Sequence, residues 1–268
     1  MAIYHLSMQS IGRAQGRSAV AAAAYRAAAR LTNARDGLTH DFTRRGGVEH
    51  AEIVLPRDLA ARADWALDRS ALWNAAEAAE VRRDARVARE FDIALPHELT
   101  VAERLDAVRS FARSLADRYG AAVDFAVHAP HGKGDDRNHH AHLLMSVRRV
   151  GPQGFLDKTM IERENKWLLS QDRPTAQMQL REARQEWERI ANARLALAGH
   201  DLSIDCRSHA ERGVGIEPTE HVGVHATQMQ RQGRAVERSR LDAASAARNA
   251  ALIRERPEQV GVVSENGK

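Results

Sequence analysis

Cys206 is the only cysteine in the sequence, so no intramolecular disulfide can form and a reducing compartment is the expected setting. Lysine is nearly absent as well. Lys133, Lys158, Lys166 and Lys268 are the full set, and the other basic residues are arginines. Aromatic residues make up 4% of the chain, and tyrosine is confined to Tyr4, Tyr25 and Tyr119. No stretch approaches the ~20 consecutive apolar residues that span a bilayer. The N-terminal MAIYHLSMQSIGRAQG lacks the basic-then-apolar order of a secretion signal. The expectation is a cytoplasmic protein without membrane insertion. Forty Lys+Arg against 36 Asp+Glu leave a formal charge of only +4. That balance permits a nucleic-acid partner without requiring one. Arginine's planar fork suits phosphate oxygens, but a GC-rich coding bias accounts equally well for its abundance.

A chain of 268 residues can bury a substantial core. Residues 2–9 read as a strand, followed by a Gly- and Arg-bearing loop in which Ser18 is placed to cap a helix. The alanine-rich run 19–31 has high helical propensity, and Asp36-Gly37 marks a break. A short strand is expected at 51–56, stopped by Pro56, and a helix over roughly 64–87. EFDIALP (90–96) alternates, with Glu90, Asp92 and Ala94 on one face and Phe91, Ile93 and Leu95 on the other. Thr100 and Glu103 form a capping box for a helix running to about Tyr119. Strands at 121–130 and 141–150 follow, joined by the polar loop HGKGDDRNHH, and then a helix over about 175–198. With no helix between them, the last two strands pair antiparallel. The order of elements implies an α+β fold, a central antiparallel sheet of about five strands with helices packed on one face. From about 226 the sequence turns polar and arginine- and alanine-rich, as in a peripheral helix or a tether.

Three histidines crowd into NHHAH (138–142). On a strand, i and i+2 share a face, so His140 and His142 project together while His139 points elsewhere. Antiparallel pairing brings His128 to the same space. Three converging imidazoles bind one divalent cation and leave positions open for chemistry, as a catalytic metal requires. The competing reading is a polar hairpin without metal. Ligand type alone does not choose among Zn, Mn, Ni, Co and Cu.

Glu90 is a candidate for orienting a ligand or accepting a proton near such a site, and an exposed sheet edge is the plainer alternative. Tyr25 sits in a helix of alanines with Arg26 and Arg30 nearby. Core anchoring is the ordinary role for such a tyrosine. The functional alternative is a nucleophile attacking a phosphodiester, with arginines offsetting the phosphate charge.

Taken in order, AIYHLS, GRSAVAAAAYR, VAREFDIALPHEL and VHAP…NHHAHLLMSVRRV resemble the MobA/MobL plasmid relaxases, and GIEPTEHVGV (215–224) resembles the segment closing their catalytic domain. His139 stands where that family often has proline, and the loop before it is longer than usual. The resemblance implies an HUH relaxase-like fold over residues 1–225, with 226–268 a C-terminal tail or linker. It implies nicking of one DNA strand at a plasmid's origin of transfer, in which a tyrosine stays joined to the 5′ phosphate and later rejoins the strand. Carried onto this chain, Tyr25 matches the nucleophile and Glu90 the active-site acid, with the role of accepting the tyrosine's proton. His128, His140 and His142 match the metal triad and Arg82 corresponds to an arginine contacting DNA, while Arg26, beside Tyr25, is a further candidate DNA contact. The implied cofactor is a divalent ion, Mg or Mn first, with Zn, Ni or Co as alternatives. Implied partners are single-stranded or supercoiled plasmid DNA, accessory relaxosome proteins and a coupling protein, all in a bacterial cytoplasm. The absence of a GxxxxGK[ST] motif gives no sign of an attached ATPase. A replication initiator or transposase of the same chemistry, a non-catalytic DNA-binding module with a structural ion, and a hydrolase using water are the alternatives.

Overall fold

A computed structural model describes residues 4–130, 136–208, 211–213, 244–245, 247–251 and 254. Met1–Cys206 forms one compact unit and Arg207–Lys268 a second. The GIEPTEHVGV segment and most of the expected tail at 226–268 lie outside the described residues.

The first unit is built on five antiparallel strands: β1 (Leu6–Gly12), β4 (Val48–Val54), β5 (Arg86–Ala94), β6 (Val123–His128) and β7 (His140–Ser146), in the order β1-β5-β7-β6-β4. Two small hairpins, β2 (Arg30–Thr32) with β3 (Thr39–Asp41) and β8 (Arg148–Gly151) with β9 (Gly154–Lys158), stand apart from it. The helices are α1 (Ala19–Arg26), α2 (Arg69–Ala79), α3 (Val101–Tyr119), α4 (Asn165–Ser170) and α5 (Ala176–Leu197).

Alternation along the strands decides what each sheet face meets. Phe91, Ile93, Phe125 and Leu143 point to one side, into a core closed by Phe111 and Leu115 of α3 and Trp187 and Ile190 of α5. Ala88, Ala122 and Leu144 point to the other, against Val20, Ala23 and Ala24 of α1 and Leu72 and Trp73 of α2. Helix cover therefore extends beyond the one face expected, and α1 and α2 roof the face that carries Glu90 and the histidines. β5 lies inside the sheet rather than at its edge, so Glu90 is 0% exposed.

The sequence signals for helix ends hold where a side chain enforces them. Ser18 Oγ accepts from Ala21 N, and Thr100 with Glu103 makes a full capping box. Two expected helices are cut short. The alanine run stops at Arg26 instead of 31, because Ala28 adopts φ +49° and residues 30–32 pair into the β2–β3 hairpin, whose turn holds Asp36-Gly37. The span 64–87 resolves into a 3-10 turn at Asp64–Leu67, α2, a turn and the start of β5. Asp68 caps α2 through Ala71 N, and pairing of Arg86 with Gly12 claims the end of the stretch for the sheet.

Candidate metal and nucleophile site

The β6–β7 ladder sets His128 directly opposite His140 and Ala126 opposite His142. The three rings lie with centroids 5.1–5.3 Å apart. One ligand nitrogen from each falls within 4.8 Å of the others, the only such group of three His, Cys, Asp or Glu side chains among the described residues. His128 Nε2 lies 2.8 Å from the Arg26 carbonyl oxygen, which can only accept. Nε2 therefore carries the proton and Nδ1 the lone pair. In the same way His140 Nδ1 faces the Asn138 carbonyl at 3.0 Å, leaving the lone pair on Nε2. His142 Nδ1 stands 3.3 Å from Glu90 Oε1 and 3.8 Å from Asp92 Oδ1, poorly aligned for a hydrogen bond to either but within reach of their charge. Burial first, then the neighbouring charges of His142, Arg45 and His140, push His128 down to about 4 against the opposing bond to Arg26. His128 is thus neutral at pH 7, as a metal ligand must be. Three converging imidazoles, two with an outer nitrogen held by a carbonyl oxygen and the third beside two carboxylates, are a donor set that fits a divalent transition ion.

Glu90 lies at the centre of a net that joins this triad to α1. Its Oε1 accepts from Arg26 Nε at 2.5 Å, and its Oε2 accepts from Gln9 Nε2 at 2.8 Å and faces Arg17 Nη2 at 3.5 Å. Burial works to raise its pKa but is overcome by His142 and by the Arg26 guanidinium, which hold the carboxyl at about 2.

Tyr25 occupies the next-to-last position of α1. The buried stripe of Ala19, Val20, Ala23 and Ala24 seats the helix closely, and Tyr25 points away from it, 38% exposed. Glu77 of α2 anchors the other end, its Oε1 accepting from Ala19 N at 2.7 Å while Oε2 accepts from Arg13. The Tyr25 and Phe42 rings meet at right angles with centroids 5.1 Å apart, and the Arg26 and Arg45 guanidinium carbons lie 5.2 and 4.0 Å from the Tyr25 centroid. An open cavity of about 370 Å³ lies beside it, lined by Arg17, Ser18, Tyr25, Arg26, Leu38 and His40. Arg26 ties everything together, because its carbonyl, left over at the helix end, meets His128 while its side chain meets Glu90.

Tyr25, Arg26, Glu90, His128, His140 and His142 are therefore connected through Arg26 and the sheet. No hydrogen bond joins Glu90 to Tyr25 among the described residues. Arg82 sits apart, in the turn before β5, with an 83% exposed side chain paired to Asp84 at 3.0 Å. The strand that follows it starts at Arg86, six residues or roughly 20 Å along β5 from Asp92, which faces His142. His139 lies outside the triad group, its neighbours including Arg104, Glu49 and His97. Sequence reasoning missed Gln9, Arg17 and Arg45. Gln9 is found only through its register opposite Glu90, and Arg45 lies in TRRGG, a loop without period.

Comparison with known proteins gives the chain's relatives. The MobA/MobL family model matches residues 17–232. The mobilization protein MobL of Acidithiobacillus ferridurans is 41% identical over 90% of this chain and 67% of its own length. The conjugal transfer protein TraA of Rhizobium radiobacter is 34% identical over 87% of this chain, which spans only 22% of TraA. A solved structure described as the molecular basis of vancomycin resistance transfer in Staphylococcus aureus superposes with a TM-score of 0.65 at 27% identity, covering 77% of this chain and all of that one. With the triad, the buried carboxylate and the helix-end tyrosine in one connected site, this chain belongs to the MobA/MobL family.

Proposed function

We propose that this chain is a plasmid mobilisation relaxase that nicks one DNA strand at an origin of transfer, with Tyr25 as the nucleophile. The observation that carries the reading is the double attachment of Arg26, which fixes the residue next to Tyr25 to both His128 and Glu90. Tyr25 Oη forms a bond to the scissile phosphorus, and the bond from phosphorus to the 3′ oxygen breaks. The tyrosine's proton is lost and the departing oxygen gains one, leaving a free 3′ hydroxyl and a 5′ phosphotyrosine. A diester is exchanged for a diester, so the reverse attack rejoins the strand without ATP.

His128, His140 and His142 would hold the divalent ion, which when bound supplies Lewis-acid stabilisation of charge on the phosphate oxygens. An all-imidazole set suits Mn, Co, Ni or Zn better than Mg, which prefers oxygen ligands. Glu90, neutralised by arginines and held at about 2, is a poor proton acceptor. It acts instead by holding the Arg26 side chain and placing a negative charge beside His142. Arg26 beside the ring offsets phosphate charge, and Arg82 contributes backbone contacts remote from the chemistry. On this reading residues 1–225 form the nicking domain and 226–268 a tail. The partners are single-stranded or supercoiled origin DNA, accessory relaxosome proteins and a coupling protein, in the bacterial cytoplasm. No helix among the described residues is long and apolar enough to cross a membrane.

The test is incubation with Mn²⁺ and single-stranded origin oligonucleotides, followed by mass spectrometry of the protein–DNA adduct. A 5′ phosphotyrosine at Tyr25, absent in Tyr25→Phe, is expected. A persistent adduct in that variant removes Tyr25 from its role, and a free 5′ phosphate with no adduct points to hydrolysis by water. The sequence cut separates an origin of transfer from a replication origin or transposon end.

A further inference from the structure

Arg45 is placed unlike the other arginines around Tyr25. Arg17 and Arg26 both turn to Glu90, Arg13 to Glu77 and Arg30 to Asp41. Arg45 has no carboxylate partner among the described residues. Its Nη1 donates to the carbonyl oxygen of Tyr25 at 2.8 Å, and its guanidinium carbon lies 4.0 Å from the centroid of the same residue's ring. The cation is thus fastened to the nucleophile's own backbone and stacked on its π-face, an attractive geometry.

The loop that carries it is fixed at both ends. Arg45 N donates to Phe42 O at 2.9 Å, closing a turn at whose base Phe42 meets the Tyr25 ring. Beyond it, Gly47 adopts φ +86°, a conformation that favours glycine, and its carbonyl accepts from Ala129 N at 2.8 Å. The next residue, Val48, pairs with His128. The loop therefore runs from the nucleophile to the first histidine of the triad, with Arg45 between them.

We propose that Arg45 joins the nucleophile to the scissile phosphate, its guanidinium orienting the Tyr25 ring while its remaining N–H groups bind a non-bridging oxygen. A guanidinium has five N–H donors in a planar fork, and the bond to the Tyr25 carbonyl uses one. With no acidic partner among the described residues, its charge is available to the diester. Lysine could supply charge, but not the stacked plane together with two oriented donors. The inference rests on Tyr25 being the nucleophile and adds to that reading a residue contacting the substrate phosphate.

The experiment uses the full chain with Mn²⁺ and a single-stranded oligonucleotide spanning the nick site mapped with the wild-type protein. Single-turnover cleavage at saturating DNA is measured for wild type, Arg45→Met and Arg45→Lys. Binding is measured separately by fluorescence anisotropy in EDTA. Arg45→Met should slow cleavage about 10²–10³-fold, the usual cost of one preorganised donor to developing charge. Its Kd should rise less than about tenfold, as for one phosphate contact among several. Arg45→Lys should restore most of the binding and less than about a tenth of the rate. A second substrate carries a neutral methylphosphonate at the scissile position. There the deficit of Arg45→Met should shrink at least tenfold, because the charge that Arg45 meets has been removed, whereas a purely structural defect leaves the deficit unchanged. An unchanged deficit overturns the phosphate contact, and so does a cleavage rate in Arg45→Met within threefold of wild type. Circular dichroism verifies the fold, and if the methionine variant does not fold, the neutral and polar Arg45→Gln carries the same comparison. A Tyr25 adduct formed at the wild-type rate in Arg45→Met defeats this inference alone. A wild-type adduct at another residue defeats both readings.

Discussion

Glu77→Ala should unfold the support beneath the nucleophile's helix, and its cost follows from what the carboxylate does. Glu77 is 2% exposed and accepts from Ala19 N at 2.7 Å, the first residue of α1. Its other oxygen accepts from Arg13 Nε at 3.0 Å and Nη2 at 2.8 Å, and the Arg13 side chain is itself only 5% exposed. Removing the carboxylate strands a buried guanidinium and orphans a helix-start N–H. Breaking such a pair costs about 3–5 kcal/mol. In a unit of this size each kcal/mol is worth about 2–4 °C, so the melting midpoint should fall by roughly 6–20 °C. Arg13 also donates to the Glu80 carbonyl at 2.6 Å and to the Arg82 carbonyl at 3.0 Å. Arg13→Met in the same background should therefore recover only part of the loss. A double-mutant cycle followed by thermal melts should give a coupling of about 1.5–3 kcal/mol. Cleavage by Glu77→Ala, assayed well below its midpoint, should drop about tenfold or more, because a looser α1 misplaces Tyr25. A midpoint within 2 °C of wild type, or a coupling near zero, would show that the Arg13–Glu77 pair does not hold the helix.

Replacing both His140 and His142 by alanine should abolish tight Mn²⁺ binding by isothermal calorimetry and all metal-dependent nicking; cleavage that survives both this change and chelation would rule out the triad's metal role. In metal-free protein, His128 is held neutral by burial, with a pKa of about 4 against an ordinary value of 6.5. The unfolded chain takes up that proton first, so the stabilising contribution is complete above pH 6.5 and declines as pH falls toward 4. Urea titrations at pH 7 and 5 should show a smaller stability difference in His128→Phe than in wild type, and an equal difference would contradict the burial argument. Arg82→Ala should leave cleavage at saturating DNA within twofold of wild type while lowering the salt slope of binding by about one, since its side chain is exposed and paired only to Asp84 among the described residues. Asp124→Asn should lower the melting midpoint by several degrees, because it weakens a buried bidentate bond from Arg69 and a bond from Trp73 Nε1.

Strong local signals were read correctly from sequence because the cause is local. Ser18 and the Thr100–Glu103 box start their helices with their own side chains. The period of two in EFDIALP and HAH fixes the face of each residue whatever the partner strand. Propensity failed where pairing competed with it. The alanine run past Arg26 is excellent helix sequence, but the β2–β3 hairpin and the roof over the triad need the chain to turn at Ala28. Residues 80–87 are lost to helix for a similar reason, since β1 requires a partner as far as Arg86.

By itself the sequence determined the chemistry available: an H-x-H strand pair with an upstream histidine, an acid on a matching strand face and a tyrosine in an alanine helix. Each is a matter of residue type and short-range period. Only the tertiary structure decided how they meet. Glu90 is enclosed by Gln9, Arg17 and Arg26 because β5 lies inside the sheet and beneath α1. Arg45 reaches Tyr25 because a loop without period is fixed between Phe42 and the strand paired to His128. Contacts across 20 residues from a loop to a helix or 64 between helix and sheet have no sequence period to announce them; they exist only once the strands are in register and the helix is seated.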